Sequence, residues 1–283
     1  MSNVEEILSL SLNNPCQDGA NFESYDLGGI SLNGITFLYS NLSEAKLDDS
    51  ELIDINFSQA TLTNTSFKKA RIKDVNFSGA NLTGANFEEA TLVNCNFKNT
   101  QVENATFTSS SIRGCEFKAC RLSHSNLSSA KIQNSDLSFA NIMYCFAKSV
   151  EMFTSHLNGA NLRGSDFSFS KLANIDMRSA NMKYSDFNSS TMKEVRLSFA
   201  NLMGVEFKDS FCKGLDLEEA NLEGADLTYA NLENSNLKNA FLLEANLHGT
   251  NLTRANMKDA YLVDANITKA LLKDAILENT ILE

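Results

Sequence analysis

Tryptophan is absent, proline occurs once and histidine three times in 283 residues, and each scarcity closes a route. The histidines His124, His156 and His248 lie far apart and at different points of the repeat described below, so neither a metal centre nor a cofactor is expected. No GxGxxG, P-loop or GxSxG motif is present. Catalysis needs convergent titratable groups in a concave, partly dry site, and the reading here is that the chain is not an enzyme. No apolar run approaches the roughly 20 residues of a membrane span. The N-terminus also lacks a basic segment followed by an apolar one, so no secretory signal is expected. Cationic residues are outnumbered: 24 Lys and Arg against 35 Asp and Glu give a formal net charge of -11 and a pI near 4.8. Direct binding of DNA or RNA needs basic surface that displaces counterions, and is not expected.

Six cysteines are present but no CxxC pair. Cys95, Cys115, Cys120 and Cys145 occupy the small slot of a five-residue repeat, Cys212 occupies the large one, and Cys16 lies outside the pattern. They read as small buried hydrophobes rather than a disulfide framework, which suits a reducing compartment and points to the cytoplasm. The Asn-x-Ser/Thr sequons, such as Asn81-Leu82-Thr83, follow from the repeat itself and do not imply glycosylation.

What the chain does contain is one pattern. From Phe22 to Leu282 every fifth residue is large and apolar, except Ala147 and Cys212. No helix has that period. The residue two places earlier is small or modest in size (Ala60, Thr65, Ala70) and the one between is usually polar (Asn76, Asn81, Asn86). No loop is inserted and no change of composition marks a boundary, so residues 20–283 read as one elongated repeat domain. Every glycine but Gly28 falls two places after a large position, where Asn64, Asp74 and Asn94 also occur. These residues tolerate positive φ, so a corner is expected every five residues. Residues 1–19 stand apart. Ser2 and Glu5 have capping-box spacing, and Val4, Ile7, Leu8 and Leu12 line one side of a short helix ended by Pro15, which would cap the open end of the stack.

The phenylalanines fix the number of sides. With four sides the stacking interval is 20 residues, and the rings sort into two opposed columns: Phe37, Phe57, Phe77, Phe97, Phe117, and Phe67, Phe87, Phe107 followed by Phe167, Phe187, Phe207. A three-sided coil would stack Phe57 on Ile72. Opposed rings flanked by aliphatic sides fill an interior without voids, so four sides are expected.

The motif Ala80-Asn81-Leu82-Thr83-Gly84, repeated as Ala160-Asn161-Leu162-Arg163-Gly164 and Ala220-Asn221-Leu222-Glu223-Gly224, resembles the pentapeptide-repeat family over about residues 20–283. The resemblance implies an all-β fold, a right-handed quadrilateral β-helix, with the large and small residues inward and the other three outward. At a coil spacing of about 4.8 Å, about thirteen coils would make a stack about 60 Å long.

Two outward features stand out. Asp166, Asp186, Glu206 and Asp226 are 20 residues apart and should form an acidic column, at a cost of roughly 1 kcal/mol per like-charge neighbour even in water, relieved in part by nearby lysines. Near the C-terminus, Phe241, Tyr261 and Ile281 replace the asparagines Asn161, Asn181, Asn201 and Asn221 of the same slot. Leu243 and Val263 occupy an adjacent outward slot, and Leu271 and Ile276 lie outward on neighbouring sides. This is an apolar patch with only Glu283 after Leu282 to cover it, and homodimerisation or docking of a protein partner is expected there. At Ala147 the inner slot holds a methyl, and Phe146 is expected to swing inward through a bulge; otherwise Phe139, Tyr144 and Phe153 would belong to a second contact surface. The resulting reading is a bacterial, non-catalytic scaffold binding a protein of unknown identity. The family resemblance adds two alternatives: a nucleic-acid mimic that inhibits or protects a type II topoisomerase, and an effector delivered to a host cell with its signal in residues 1–19. The net charge, about one per 5–6 Å of stack, is sparse beside the roughly one per 1.7 Å of B-DNA.

Overall fold

A computed structural model describes residues 15–282, and contains no helix among them; the expected cap helix falls within residues 1–14, outside the described residues. No helix long and apolar enough to cross a membrane occurs among the described residues. The fold is a parallel β-solenoid. Its chain divides into two units, Met1–Asn141 and Ile142–Glu283. In the first, bridges between residues 20 apart run from Cys16 with Thr36 to Arg121 with Asn141; in the second they run from Phe146 with Asp166 to Tyr261 with Ile281.

One pentad shows why this chain coils. In Asn56–Ala60, the Phe57 and Gln59 amides donate to Asn76 O (2.7 Å) and Ser78 O (3.0 Å) of the next coil, and the Asn56 amide donates to Ile35 O (3.0 Å) of the coil before. The Ala60 amide closes the turn onto Phe57 O at 3.0 Å. Only the Ser58 N–H lacks a main-chain acceptor, and the Asn56 side chain supplies one through Oδ1 at 3.0 Å. An unpaired amide beside the core costs on the order of 1–3 kcal/mol, which accounts for the preference for Asn or Asp one place before the large residue. Gln59 sits at φ 59°, and the same left-handed conformation recurs every five residues, even at Tyr39, Phe139 and Tyr184.

Inside the first unit the two phenylalanine columns are in place. Phe67, Phe87 and Phe107 stack at 4.8 Å between ring centroids. Phe77, Phe97 and Phe117 stack opposite at 4.8 and 4.5 Å. The columns meet edge to face, as Phe87 does with Phe77 at 6.2 Å and with Phe97 at 6.0 Å, the geometry favoured by the ring quadrupole. In the second unit Phe167 stacks on Phe187 at 5.1 Å. Cys95, Cys115, Cys120, Cys145 and Cys212 are buried, Cys16 is exposed, and none is in a disulfide.

Three-residue strands occur on one side of the coil only. The first unit holds β1 (Ser31–Asn33), β2 (Glu51–Ile53), β3 (Arg71–Lys73), β4 (Thr91–Val93), β5 (Ser111–Arg113) and β6 (Lys131–Gln133); the second holds β7 (Glu151–Phe153), β8 (Lys171–Ala173) and β9 (Thr191–Lys193). Each begins with Ser, Glu, Arg, Thr or Lys. None begins with Asn or Asp, and the strands pair in parallel, as Ser31–Asn33 does with Glu51–Ile53. Ladder-forming strands are thus fewer than the about thirteen coils expected from the spacing, the remaining sides being joined by single-residue bridges.

The bulge expected at Ala147 does not form. Ala147 keeps the inner slot, its amide donating to Asp166 O at 2.7 Å, while Phe146 bridges Asp166 and is 58% exposed. The main-chain pairing of the coil holds its phase although the inner side chain is only a methyl. Phe139 and Tyr144 are exposed and Phe153 is half-buried.

Phe87 touches four other rings, so Phe87→Ala is expected to lower stability by about 3–5 kcal/mol in urea denaturation. Amide exchange should accelerate first in the coils on either side of residue 87.

Candidate interaction faces

Because each slot recurs every 20 residues, an outward residue belongs to a column, and the column decides its energetics. Where asparagine fills the slot before the large residue, its amide both accepts and donates. Asn181 Nδ2 donates to Asn161 Oδ1 at 3.0 Å and Asn266 Nδ2 to Asn246 Oδ1 at 3.0 Å, while each Oδ1 takes the N–H two residues ahead. An aspartate keeps the second function and loses the first.

On one side of the second unit carboxylates fill this slot. Asp166, Asp186, Glu206 and Asp226 form one column of successive bridges, entered from Phe146 and left at Asn246. Asp166 accepts the Ser168 amide (2.9 Å) and hydroxyl (2.6 Å), and Asp186 accepts the Asn188 amide at 2.7 Å. Glu206 is too long for this turn. Asn188 takes over, receiving the Lys208 amide at 2.7 Å and donating to Glu206 Oε2 at 2.7 Å. Burial, together with the Asp166 and Glu206 carboxylates, pushes the Asp186 carboxyl above its ordinary value, against the Asn188 hydrogen bond that favours its charge. At Asp226 burial acts in the same direction, but the Thr228 hydroxyl and amide and the Lys208 ammonium, 3.1 Å away, outweigh it and hold the carboxyl below the usual value. Of these two carboxylates, Asp226 is paired with a cation, whereas Asp186 has only the longer-range attraction of Lys148.

Another side of the same unit shows the compensated alternative. His156, Asp176, Arg196 and Asp216 bridge in succession. The Arg178 guanidinium grips Asp176 with both arms, Nε to Oδ1 at 2.9 Å and Nη2 to Oδ2 at 2.8 Å, and Arg196 adds a contact at 3.4 Å. The Arg178 hydrogen bonds, helped by Arg196, hold the Asp176 carboxyl below its ordinary value despite burial. Nothing in the spacing of the sequence singled out this cluster.

Of the residues expected in the apolar patch, Phe241, Tyr261 and Ile281 share one column and are exposed. The Phe241 and Tyr261 rings stack at 5.2 Å. Leu243 and Val263, half-buried, lie on the same side. Leu271 bridges Asn251 and Ile276 bridges Asn256, which puts Ile276 one corner and Leu271 two corners from that side. The seven residues are thus not one face. In the last coil the inward slots are also uncovered: Leu277 is 45% and Leu282 53% exposed, and a hollow of about 100 Å³ lies among Leu252, Met257, Leu262, Ile267, Leu272, Leu277 and Leu282. The five-residue phase separates interior from exterior only where another described coil lies on top.

A further set is the aromatic residues at corners, of which only Phe139 and Tyr144 stood out in the sequence. Among the described residues, the exposed large hydrophobics of the first unit are Tyr39 and Phe139, whereas the second carries Tyr144, Phe169, Tyr184, Phe199, Tyr229 and others. Tyr144, Tyr184 and Tyr229 lie against Gly164, Gly204 and Gly249 of the next coil, where a Cβ would come within 2.5–2.6 Å of the ring. The glycine leaves room for the ring to lie flat. The signal was available as tyrosine in a corner slot followed by glycine 20 residues on.

A family model described as "Pentapeptide repeat region" matches residues 50–127, and one described as "Pentapeptide repeats (8 copies)" matches residues 155–183, 170–209, 212–242 and 242–279. No curated protein matches the chain. Among solved structures, similarity is found to HetL, a pentapeptide repeat protein involved in heterocyst differentiation regulation from the cyanobacterium Nostoc sp. strain PCC 7120: 20% identity over 100% of this chain and 97% of that one, with a TM-score of 0.27. A trypsin-treated QnrB1, a plasmid-mediated fluoroquinolone resistance protein, is 20% identical over 73% of this chain and 89% of that one, with a TM-score of 0.36. Rfr23, from the cyanobacterium Cyanothece 51142, is 23% identical over 58% and 91%, with a TM-score of 0.20. At such scores these likenesses support no reading of function.

Two substitutions separate the two charged columns. The raised Asp186 carboxyl means that its charge costs stability above its folded pKa, a cost relieved as pH falls through that value. Asp186→Asn is therefore expected to stabilise by roughly 0.5–1 kcal/mol at pH 7, with the gain shrinking toward pH 3. The lowered Asp176 carboxyl contributes stability that is present above the unfolded pKa and lost as pH falls through the folded one. Asp176→Asn is expected to cost about 2–3 kcal/mol at pH 7 and progressively less in acid. Urea denaturation at a series of pH values checks both.

Proposed function

The chain belongs to the pentapeptide-repeat family, and from that premise we propose that it is a non-catalytic scaffold whose outer faces bind proteins, with the C-terminal coils forming a homodimer contact. The observation that carries the reading is the Phe241, Tyr261 and Ile281 column. Two stacked rings and an isoleucine stand exposed in a slot that asparagine fills at Asn161, Asn181, Asn201 and Asn221. Asparagine there supports both its turn and its neighbour, so the apolar residues forgo two kinds of hydrogen bond and gain nothing inside the coil. Contiguous exposed apolar surface of this kind is the mark of a contact site. The same proposal takes residues 1–19 as a cap, residues 20–283 as the repeat domain, and the cytoplasm as the site of action, where buried thiols such as Cys95 and Cys212 stay reduced.

The acidic column favours a second reading, mimicry of nucleic acid toward a type II topoisomerase. Its four carboxylates recur at every coil from Asp166 to Asp226, a spacing of about 4.8 Å. Against it, Lys208 neutralises Asp226, and a single column is sparser than a phosphate backbone.

The double substitution of Phe241→Asn and Tyr261→Asn is expected to halve the mass measured by light scattering, with the coil intact by circular dichroism. Identical masses for the two proteins would remove the contact. For the second reading, DNA gyrase supercoiling should change in the presence of micromolar protein; an unaltered rate would discard mimicry.

A further inference from the structure

The side of the second unit that bears the acidic column also carries exposed rings. Phe146 heads the column and is 58% exposed. Tyr184 lies in the corner entering this side and Phe169 in the corner leaving it, both exposed. Three carboxylates, Asp166, Asp186 and Glu206, run between them. The chain already places its own cations on these rings. Lys148 Nζ lies 5.0 Å from the Phe169 centroid, and the Arg163 guanidinium lies 5.7 Å from that of Tyr184.

Each of these features departs from what the fold alone favours. Asparagine in the column would restore the ladder, and small residues such as Ser149 and Ser189 fill the same corner slot as Phe169. Exposed rings beside carboxylates complement one chemistry: a planar cation that stacks on an aromatic face and donates hydrogen bonds to a carboxylate along its edge. Spacing sets the shape of the partner. From Phe146 to Glu206 is three coil steps, about 14 Å, and alternate residues of an extended chain lie about 6.7 Å apart. Three alternate side chains of one extended strand therefore span the face.

We propose that this face docks an extended, arginine-rich segment of a partner protein, with alternate guanidiniums lying on the rings and donating to the carboxylates of Asp166, Asp186 and Glu206 that run between them. The inference rests on the reading that the outer faces bind proteins, and names the partner chemistry of a face distinct from the Phe241 column.

The test uses the full chain and a fluorescent peptide of about nine residues in which arginine alternates with serine, read by anisotropy at low and moderate salt. The pair Asp166→Asn with Asp186→Asn introduces the ordinary residue of the slot. The pair Phe169→Ser with Tyr184→Ser introduces a residue found at other corners, so both proteins are expected to fold. Each pair should weaken binding at least about tenfold. The pair Asp49→Asn with Asp54→Asn, which removes the same charge from the first unit, should leave it unchanged, and a lysine version of the peptide should bind more weakly. Absence of binding at low salt, equal loss from the first-unit pair, indifference to the serine pair, or equal binding of the lysine peptide would each overturn the proposal. The mass of the Phe241→Asn, Tyr261→Asn protein reports on the C-terminal contact alone, so failure of either reading is seen separately.

Discussion

A left-handed backbone conformation at every fifth residue is the constraint from which the rest of this molecule follows. For any residue but glycine it costs on the order of 1–2 kcal/mol, and here it is imposed even on Tyr184 and Phe199. What holds it is hydrogen bonding along the stack. The corner amide donates to the next coil, as Tyr184 does to Met203 O at 3.0 Å, and the following amide closes back onto the inner residue, as Ser185 does onto Met182 O at 3.2 Å. Corners at that interval return the chain to the same side after 20 residues. Every position is then stacked on its own kind, and one residue's suitability is judged by its column.

Column logic links stability to function in the same terms. Inside, it rewards uniformity: phenylalanine stacks on phenylalanine, and the two stacks mesh edge to face. Outside, it rewards asparagine, which is donor and acceptor at once, and alternation of charge, as in the Asp176 and Arg196 pair. A column of like carboxylates or of exposed rings meets neither rule. Such departures are concentrated in the second unit, where the acidic column and the Phe241 column both lie. Positions at which local rules fail without a local gain are where binding is to be sought.

Much of the interior was legible in the sequence because a solenoid is nearly one-dimensional. The inward slots, the four sides, the phenylalanine columns and the corners could be counted from Phe22 onward. The role of the asparagine slot was not, since it depends on which main-chain amide the coil leaves without a carbonyl. At Ala147 the spacing suggested that an aromatic neighbour would fill the gap, but main-chain pairing outweighs the loss of one inner side chain. In the last coil the phase placed Leu277 and Leu282 inward, yet burial also requires a coil above. The Phe241 and acidic columns were readable as columns, whereas the relief of Asp226 by Lys208 and the placing of Leu271 two corners away needed coordinates.

The phase itself is open to one direct count. Five of the six cysteines sit in inward slots and are buried, and Cys16 is exposed. Titration of the native protein with a chromogenic thiol reagent should register a single fast-reacting group, identified as Cys16 by peptide mapping, with the other five appearing only on unfolding. Fast labelling of Cys95, Cys115 or Cys212 in the folded protein would contradict the account.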